Sequence, residues 1–253
     1  AIANNSNLFT GGNWNSKVMP LKVLNGSNSG SYSAMTNSIY YAVDNGAKII
    51  SMSIGGSSSS TILENAIQYG NQNNVTMFFC MMNFNNNVSY YPARYSLNHS
   101  NVVAVGATNP NDTRTAPFFW DASSGSNYGT HINVVAPGNY IYGLSHTSNT
   151  SAGTYWGGTS QATPLVASIA SLMLAKNPAL TPAQIRTILQ NTAQDMVGTS
   201  SEDTQGFDQY MGYGRVNANS ALQAVLQLGI NNTNNATKKL EIINPVKENK
   251  IDL

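Results

Sequence analysis

A serine at the start of one predicted helix could act as a nucleophile in acyl transfer. Residues 157–160 (Gly-Gly-Thr-Ser) open a helix, rich in small residues, that is predicted to run to Lys176. The free N–H groups and partial positive charge of a helix N-terminus would stabilise an oxyanion that develops beside Ser160. A serine next to such donors is the arrangement that acyl transfer requires. The same four residues also fit an ordinary helix cap, so their pattern alone leaves both interpretations open.

An amide side chain could supply a second oxyanion donor. Asn83 follows the apolar run 75–80, which predicts a buried strand, and residues 53–56 (Ser-Ile-Gly-Gly) close another predicted strand. In open α/β sheets, ligand sites form beyond the carboxyl ends of the strands. We therefore expect Asn83, segment 53–56 and Ser160 to lie at one edge of the sheet, although an isolated Asn after a strand is also typical of a turn.

The elements that must position these residues alternate between strands and helices. Near-continuous apolar strands that alternate with amphipathic helices imply an α/β fold with a mostly parallel central sheet and helices on both faces. The predicted strands are 18–24, 48–53, 75–80, 102–105 and 134–136. Capping signals predict helix starts at Ser33, at Thr61 with Glu64, and at Thr181 with Pro182 and Gln184, and a last helix covers 220–228.

Composition excludes several classes of function. Charged residues make up 9% of the 253 residues and the net charge is +1, so no basic surface is available to neutralise the phosphates of a nucleic acid. No apolar run reaches the ~18 residues that a membrane span needs. A single cysteine excludes an internal disulfide, and we expect Cys80 to be a small buried apolar residue and not a nucleophile.

One ten-residue segment resembles a known family. Residues 158–167 (GTSQATPLVA) are similar to the nucleophile motif of the subtilisin-like serine proteases, usually Gly-Thr-Ser-Met-Ala-Ser/Thr-Pro-His-Val-Ala. Further similar segments follow the family's order and spacing: 22–24, 29–32, 51–56, 91–93, 102–107 and 136–138. The resemblance covers about residues 1–228 and implies a subtilisin-like fold, incomplete at its N-terminus, with serine endopeptidase activity through an acyl-enzyme.

The resemblance assigns roles position by position. It implies that Ser160 is the nucleophile and that Asn83 is the oxyanion asparagine. A second set of residues is implied to bind substrate: Ser29, Gly30 and Ser31 along its backbone, Ser53, Ile54 and Gly55 as one wall of the primary specificity pocket, and Gly158 at the turn before the nucleophile.

Two expectations concern this pocket more closely. Met82 stands where the family has glycine before its oxyanion asparagine, so we expect Met82 to line and narrow the primary pocket. The peptide bond between Tyr91 and Pro92 lies where the family often has a cis bond, and we expect a cis bond here as well.

The resemblance also implies that the aspartate and histidine of the catalytic triad precede residue 1. Residues 1–5 match the end of the helix that the family's histidine opens, and no other segment supplies the motif. As given, the chain is then expected to be inactive, because serine without a base is a weak nucleophile. The alternative is a non-catalytic pseudoprotease or binding module with the same fold. None of the three histidines is expected to substitute: His99 in a loop, His131 on a surface strand and His146 at the cleft rim.

The chain divides into three regions. The resemblance gives a peptidase domain (1–228), and the Asn-rich composition after Gly229 indicates a linker (229–239). The C-terminal segment (240–253) resembles the start of a type IX secretion sorting domain, and it equally fits an ordinary charged C-terminus. We expect a secreted, extracellular bacterial protein that acts as a monomer on protein or peptide substrates, with no nucleic-acid partner and no membrane span. No cofactor and no metal site is expected in this chain, although the complete protein could carry a structural calcium ion, with Asn5 as a remnant ligand.

Overall fold

A parallel four-stranded sheet forms the centre of the computed structural model, which describes residues 10–145 and 152–237. The strands are β1 (Ile49–Met52), β2 (Thr76–Cys80), β3 (Val102–Thr108) and β4 (Val134–Pro137), and they lie in that order across the sheet. The register places Ile50 beside Met77, Phe79 beside Ala104 and Val105 beside Val134. Every residue of β2 and β3 is buried, which explains their continuous apolar sequences.

Helices cover both faces of the sheet, as predicted. One face carries α1 (Tyr32–Asp44), α2 (Thr61–Gln72) and a 3₁₀ turn at Ala93–Leu97. The other carries α3 (Thr159–Lys176), α4 (Pro182–Asn191) and α5 (Ala218–Thr237), and α5 continues through most of the segment that we assigned to a linker. Side chains that alternate along β2 enter different cores: Phe78 packs on the α3 side, and Met77 and Phe79 pack on the α1 side.

A hairpin completes the described architecture. Strands β5 (Ile141–Leu144) and β6 (Ala152–Trp156) pair antiparallel and lead directly into α3. Within the described ranges, no helix is long and apolar enough to cross a membrane. Three sets of expectations lie outside the described residues: those for 1–5, for His146 and for 240–253.

The predicted strand 18–24 is wrong. The segment is irregular, and Val18 is 59% exposed. A cavity of about 1030 Å³ separates residues 16–23 from β1. Within the described ranges, only β2 pairs with β1 in the sheet, so the other edge of β1 faces this cavity. Apolar residues of high β-propensity do not form a strand when no neighbouring backbone accepts their hydrogen bonds.

Two of the three predicted helix caps are wrong. Ser31, not Ser33, is the N-cap of α1, and its hydroxyl accepts from the N–H of Ala34 at 3.1 Å. Ser60 precedes α2 without a side-chain cap, so Thr61 and Glu64 form no capping box. The predicted capping box of α4, between Thr181 and Gln184, is confirmed. The pattern of apolar residues therefore predicts where a helix lies, but it does not predict the exact residue at which the helix begins.

Candidate active site

The candidate nucleophile lies in the first turn of α3. Gly158 is the N-cap at φ +156°, and its N–H donates to the carbonyl of Gly138 at 2.7 Å. Ser160 is therefore the second residue of the helix and its N–H has no partner one turn earlier. No hydrogen bond among the described residues uses this N–H. The helix end thus presents a backbone donor next to the Ser160 hydroxyl.

Two hydrogen bonds orient the side chain of Asn83, which follows β2. Its Oδ1 accepts from the N–H and from the hydroxyl of Thr159, each at 2.9 Å. Its backbone carbonyl accepts from the N–H of Gly125 at 3.0 Å. Because the amide oxygen is occupied in this way, Nδ2 is the end of the side chain that is left to donate, and no bond in the described ranges uses it.

The two donors face the same small volume. A Cβ atom built on Gly158 would lie 3.2 Å from Asn83 Nδ2 and 3.5 Å from the backbone nitrogen of Ser160. An oxyanion needs donors about 3 Å away on one side of a reacting carbonyl. The structure therefore brings Asn83 together with the backbone of Ser160, and the absence of a side chain at Gly158 leaves the space between them open.

A proline within α3 links the candidate nucleophile to β1. Pro164 has no N–H, so the carbonyl of Ser160, four residues earlier, lacks its helical donor. The hydroxyl of Ser53, directly after β1, donates to this carbonyl at 3.1 Å. Ser53 therefore completes a hydrogen bond that the helix cannot make, and it ties the end of β1 to the residue that carries the hydroxyl.

Met82 lies against the predicted pocket wall. Its Sδ is 3.1 Å from the position that a Cβ on Gly55 would take, and the carbonyl oxygen of Tyr91 is 3.0 Å from that position. Gly56 and Tyr91 exchange two backbone hydrogen bonds of 2.8 Å each, which fixes the wall. The Tyr91–Pro92 bond is cis, as expected. The Met82 side chain therefore occupies space beside Gly55, and a glycine at position 82 would leave that space empty.

The remaining predicted substrate-binding residues differ in whether their backbone and hydroxyl groups are already hydrogen-bonded within the protein. Both backbone groups of Ser29 are bonded to Asn25, at 3.0 and 2.8 Å, and the hydroxyl of Ser31 caps α1. Gly30 is exposed, and no described hydrogen bond uses its backbone, so its groups remain available to an extended chain. Ile54 is half-buried and packs on the α1-side core.

Neither described histidine is hydrogen-bonded to Ser160. His99 Nε2 is 3.0 Å from Glu64 Oε1. The expectation of a surface position for His131 is wrong, because it is 2% exposed and its Nε2 has no hydrogen-bond partner. Burial, with a smaller contribution from the charge of Arg94, lowers the pKa of His131 to about 4. His131 is therefore a neutral interior side chain and not a base beside the serine.

The single cysteine lies beneath the site. Cys80 is 3% exposed and its Sγ is 3.8 Å from Met82 Sδ, which confirms the expectation of a small buried residue. Burial raises the pKa of the thiol, so it stays protonated. In the ranges described, no three His, Cys, Asp or Glu side chains form a group that could hold a metal ion, and Asp112, at a turn with φ +68°, pairs with Arg215.

Sequence reasoning misses two residues that bond Asn83 or the segment directly after it. Thr159 belongs to the serine motif, and it supplies both bonds to the Asn83 amide oxygen. Arg114 is buried and donates to Asn85 Oδ1 at 2.9 Å and to the carbonyl of Ser126 at 2.8 Å. It also forms a two-point ion pair with Glu202 at 3.1 and 2.7 Å. The pair is 88 positions apart in sequence, so no local pattern indicates it.

The chain is similar to known proteins over most of its length. A family model described as "Subtilase family" matches residues 1–214. Thermitase from Thermoactinomyces vulgaris is 35% identical over 88% of this chain and 71% of its own length, and subtilisin DY from Bacillus licheniformis is 34% identical over 83% and 69%.

Solved structures agree as well. A protease from Pseudoalteromonas arctica superposes with a TM-score of 0.68 at 29% identity, over 85% of this chain. The chain spans 65% of that protease, so it corresponds to about two thirds of a structure of this kind. The matched family model covers most of the chain, and its range includes both Asn83 and Ser160. This chain belongs to the subtilase family.

Proposed function

We propose that the complete protein is a serine endopeptidase that forms an acyl-enzyme on Ser160. The observation that carries the proposal is the small volume faced by Asn83 Nδ2 and the Ser160 N–H, two donors that no hydrogen bond in the described part of the chain uses. Membership of the family supports the same chemistry. Protein or peptide chains are the substrates, and we place the protein outside the bacterial cell as a monomer without a nucleic-acid partner.

The proposed reaction has two halves. The Ser160 oxygen attacks the carbonyl carbon while a base takes its proton, and the carbonyl oxygen becomes an anion between the two donors. The C–N bond then breaks, and the amine leaves with the proton that the base returns. Water repeats the sequence on the ester and releases the acid. Thr159 contributes indirectly, because it fixes the Asn83 amide before the substrate arrives.

We infer that the base and its carboxylate partner belong to a segment that precedes residue 1. The edge of β1 that has no strand partner among residues 10–145 and 152–237, and the cavity of about 1030 Å³ beside it, support this inference. A further strand parallel to β1 would end next to Ser53, whose hydroxyl contacts the Ser160 carbonyl. Side chains at that end would therefore be near the nucleophile, as ligand sites are in parallel sheets.

We propose that substrate binds along Gly30 and the 53–55 wall as an added β-strand. Ser29 and Ser31 flank Gly30 and would position it, while Met82 shortens the pocket beside Gly55. The expected preference is for a small side chain before the scissile bond, because the thioether fills space that a large ring would need.

Labelling with a fluorophosphonate tests the proposed activity. The reagent is applied to a longer protein that includes the upstream sequence with the expected aspartate and histidine. We call this longer protein the extended protein. We expect labelling of the extended protein, none in Ser160→Ala, and unchanged labelling in His146→Ala. Labelling that survives Ser160→Ala would refute the nucleophile. A folded extended protein that is never labelled would favour the pseudoprotease alternative.

A further inference from the structure

Four aromatic side chains form an exposed surface next to the candidate site. Phe119 and Tyr140 stack with ring centroids 5.1 Å apart, Tyr140 meets Tyr155 at 6.2 Å, and Tyr155 meets Tyr142 at 5.3 Å. Their exposures run from 41% for Phe119 to 56% for Tyr142 and Tyr155. We call these four residues the aromatic surface. Contiguous exposed rings of this kind mark a binding surface more often than isolated ones do.

The aromatic surface is continuous with the approach to Ser160. The indole of the neighbouring Trp120 donates to the carbonyl of Gly157 at 2.8 Å, and a Cβ on Gly157 would lie 3.0 Å from the ring of Phe119. Asn139 accepts from the Phe119 N–H at 3.3 Å and joins this loop to the end of β4. A ligand that covers the serine can therefore extend onto these rings without leaving the protein surface.

The position of the surface in the sheet tells which part of a substrate would reach it. The wall 53–55 follows β1, which is one edge strand of the sheet. Residues 138–140 follow β4, which is the opposite edge strand. Ser160 is tied to both, through Ser53 and through the bond from Gly158 to Gly138. A peptide substrate whose acyl side lies on 53–55 must therefore pass Ser160 and continue toward β4. Its residues on the leaving-group side would then reach the aromatic surface.

The local charge restricts the occupant. Segments 117–120 and 139–145 contain no Asp, Glu, Lys or Arg, so a charged ligand would find no counter-charge within them. Tyrosine rings offer apolar contact at low entropic cost together with a hydroxyl at the rim. An apolar or aromatic peptide segment satisfies both features.

We propose that the aromatic surface binds aromatic or apolar residues of the substrate on the leaving-group side of the scissile bond. This deepens the proposed function and rests on it. The two tyrosines Tyr140 and Tyr155 are the specificity-determining residues, because they form the centre of the surface, with Tyr140 directly before β5 and Tyr155 on β6.

Binding of the released half of the substrate tests the proposal without requiring catalysis. Two labelled peptides, Ala-Phe-Tyr-Phe amide and Ala-Ser-Ser-Ser amide, are titrated against the full 253-residue chain by fluorescence anisotropy. We expect the aromatic peptide to bind about tenfold more tightly, and we expect Tyr140→Ser with Tyr155→Ser to abolish the difference. Tyr41→Ser is the matched control, because Tyr41 is 54% exposed on α1.

Hydrolysis by the extended protein gives the second arm. Substrates that share one acyl side and carry either downstream sequence should differ about tenfold in kcat/KM, and the double variant should remove this difference, whereas Tyr41→Ser should keep it. Equal binding of both peptides, or a preference that survives the double variant, overturns the proposal. Tighter binding of an oligosaccharide than of either peptide overturns it as well. Failure to cleave a p-nitroanilide substrate would refute the proposed function, while the anisotropy result would still decide the surface.

Discussion

Substitution of Gly158 by alanine places a methyl group where the oxyanion should form. The added carbon would lie 3.2 Å from Asn83 Nδ2 and 3.5 Å from the Ser160 nitrogen, so neither donor could reach a carbonyl oxygen in the same place. It would also lie 2.9 Å from Gln161 Oε1, which must move. The change therefore acts on the transition state more than on the fold.

The size of the effect can be bounded. Loss of one oxyanion donor lowers turnover roughly 10²–10³-fold, a figure measured on a subtilisin of this same family and carried over here. We expect that loss for Asn83→Ala in the extended protein. Gly158→Ala obstructs both donors, so we expect a loss of at least about 10³-fold in kcat for a p-nitroanilide substrate.

Backbone strain is the competing explanation, and it has a matched control. Gly158 has φ +156°, and alanine there costs about 1–3 kcal/mol of folding free energy. Gly46 has φ +81° with no atom within 4 Å of an added Cβ, so Gly46→Ala introduces strain without obstruction. We expect Gly46→Ala to lose stability in urea unfolding and to keep full turnover. A folded Gly158→Ala protein with turnover within fivefold of the wild type would refute the assignment of the oxyanion site.

Three further predictions follow from the described contacts. Met82→Gly in the extended protein should raise kcat/KM for phenylalanine relative to alanine before the scissile bond by about 10²-fold, as the loss of several methylene-sized groups implies; an unchanged ratio in a panel of peptide substrates would contradict the narrowed pocket. Because the pKa of His131 is lowered to about 4 from 6.5, the unfolded chain binds the proton first, so the free energy of unfolding should fall by about 3 kcal/mol as the pH drops from 7 to 4. His131→Phe should remove that part of the pH dependence in urea titrations, and an identical pH dependence in the variant would show that another group is responsible. Arg114→Met should destabilise the fold by about 3 kcal/mol in the same assay, near the low end for a broken buried ion pair because Glu202 is partly exposed; a cost below 1 kcal/mol would show that the Arg114–Glu202 pair contributes little to stability.

The sequence predicts the sheet and most of its helices because their signals are local. The apolar runs at 75–80 and 102–105 become strands buried on both faces, and the capping box at Thr181 forms as written. The failed strand at 18–24 has equally apolar residues. Strand formation depends on a partner edge as well as on composition, and no local pattern contains that information.

The candidate site divides in a similar way. A ten-residue motif indicates Ser160, and its helix begins at Thr159 in the structure. The bonds that orient the Asn83 side chain come from Thr159, and Arg114 bonds the side chain of Asn85, two residues further along. Such contacts join residues that are distant in sequence, so only the fold reveals them. The burial of His131 is of the same kind, since its enclosure comes from packing and not from its neighbours in the chain.

The proline in α3 makes the position of Ser160 depend on the end of β1. Since Pro164 leaves the Ser160 carbonyl to Ser53, the peptide unit of the nucleophile is anchored to the outermost strand of the described sheet. A displacement of that strand is transmitted directly to the serine. The proposed hydrolysis would therefore depend on the placement of β1 as well as on α3, and Ser53→Ala would remove the side-chain bond that joins them at this point.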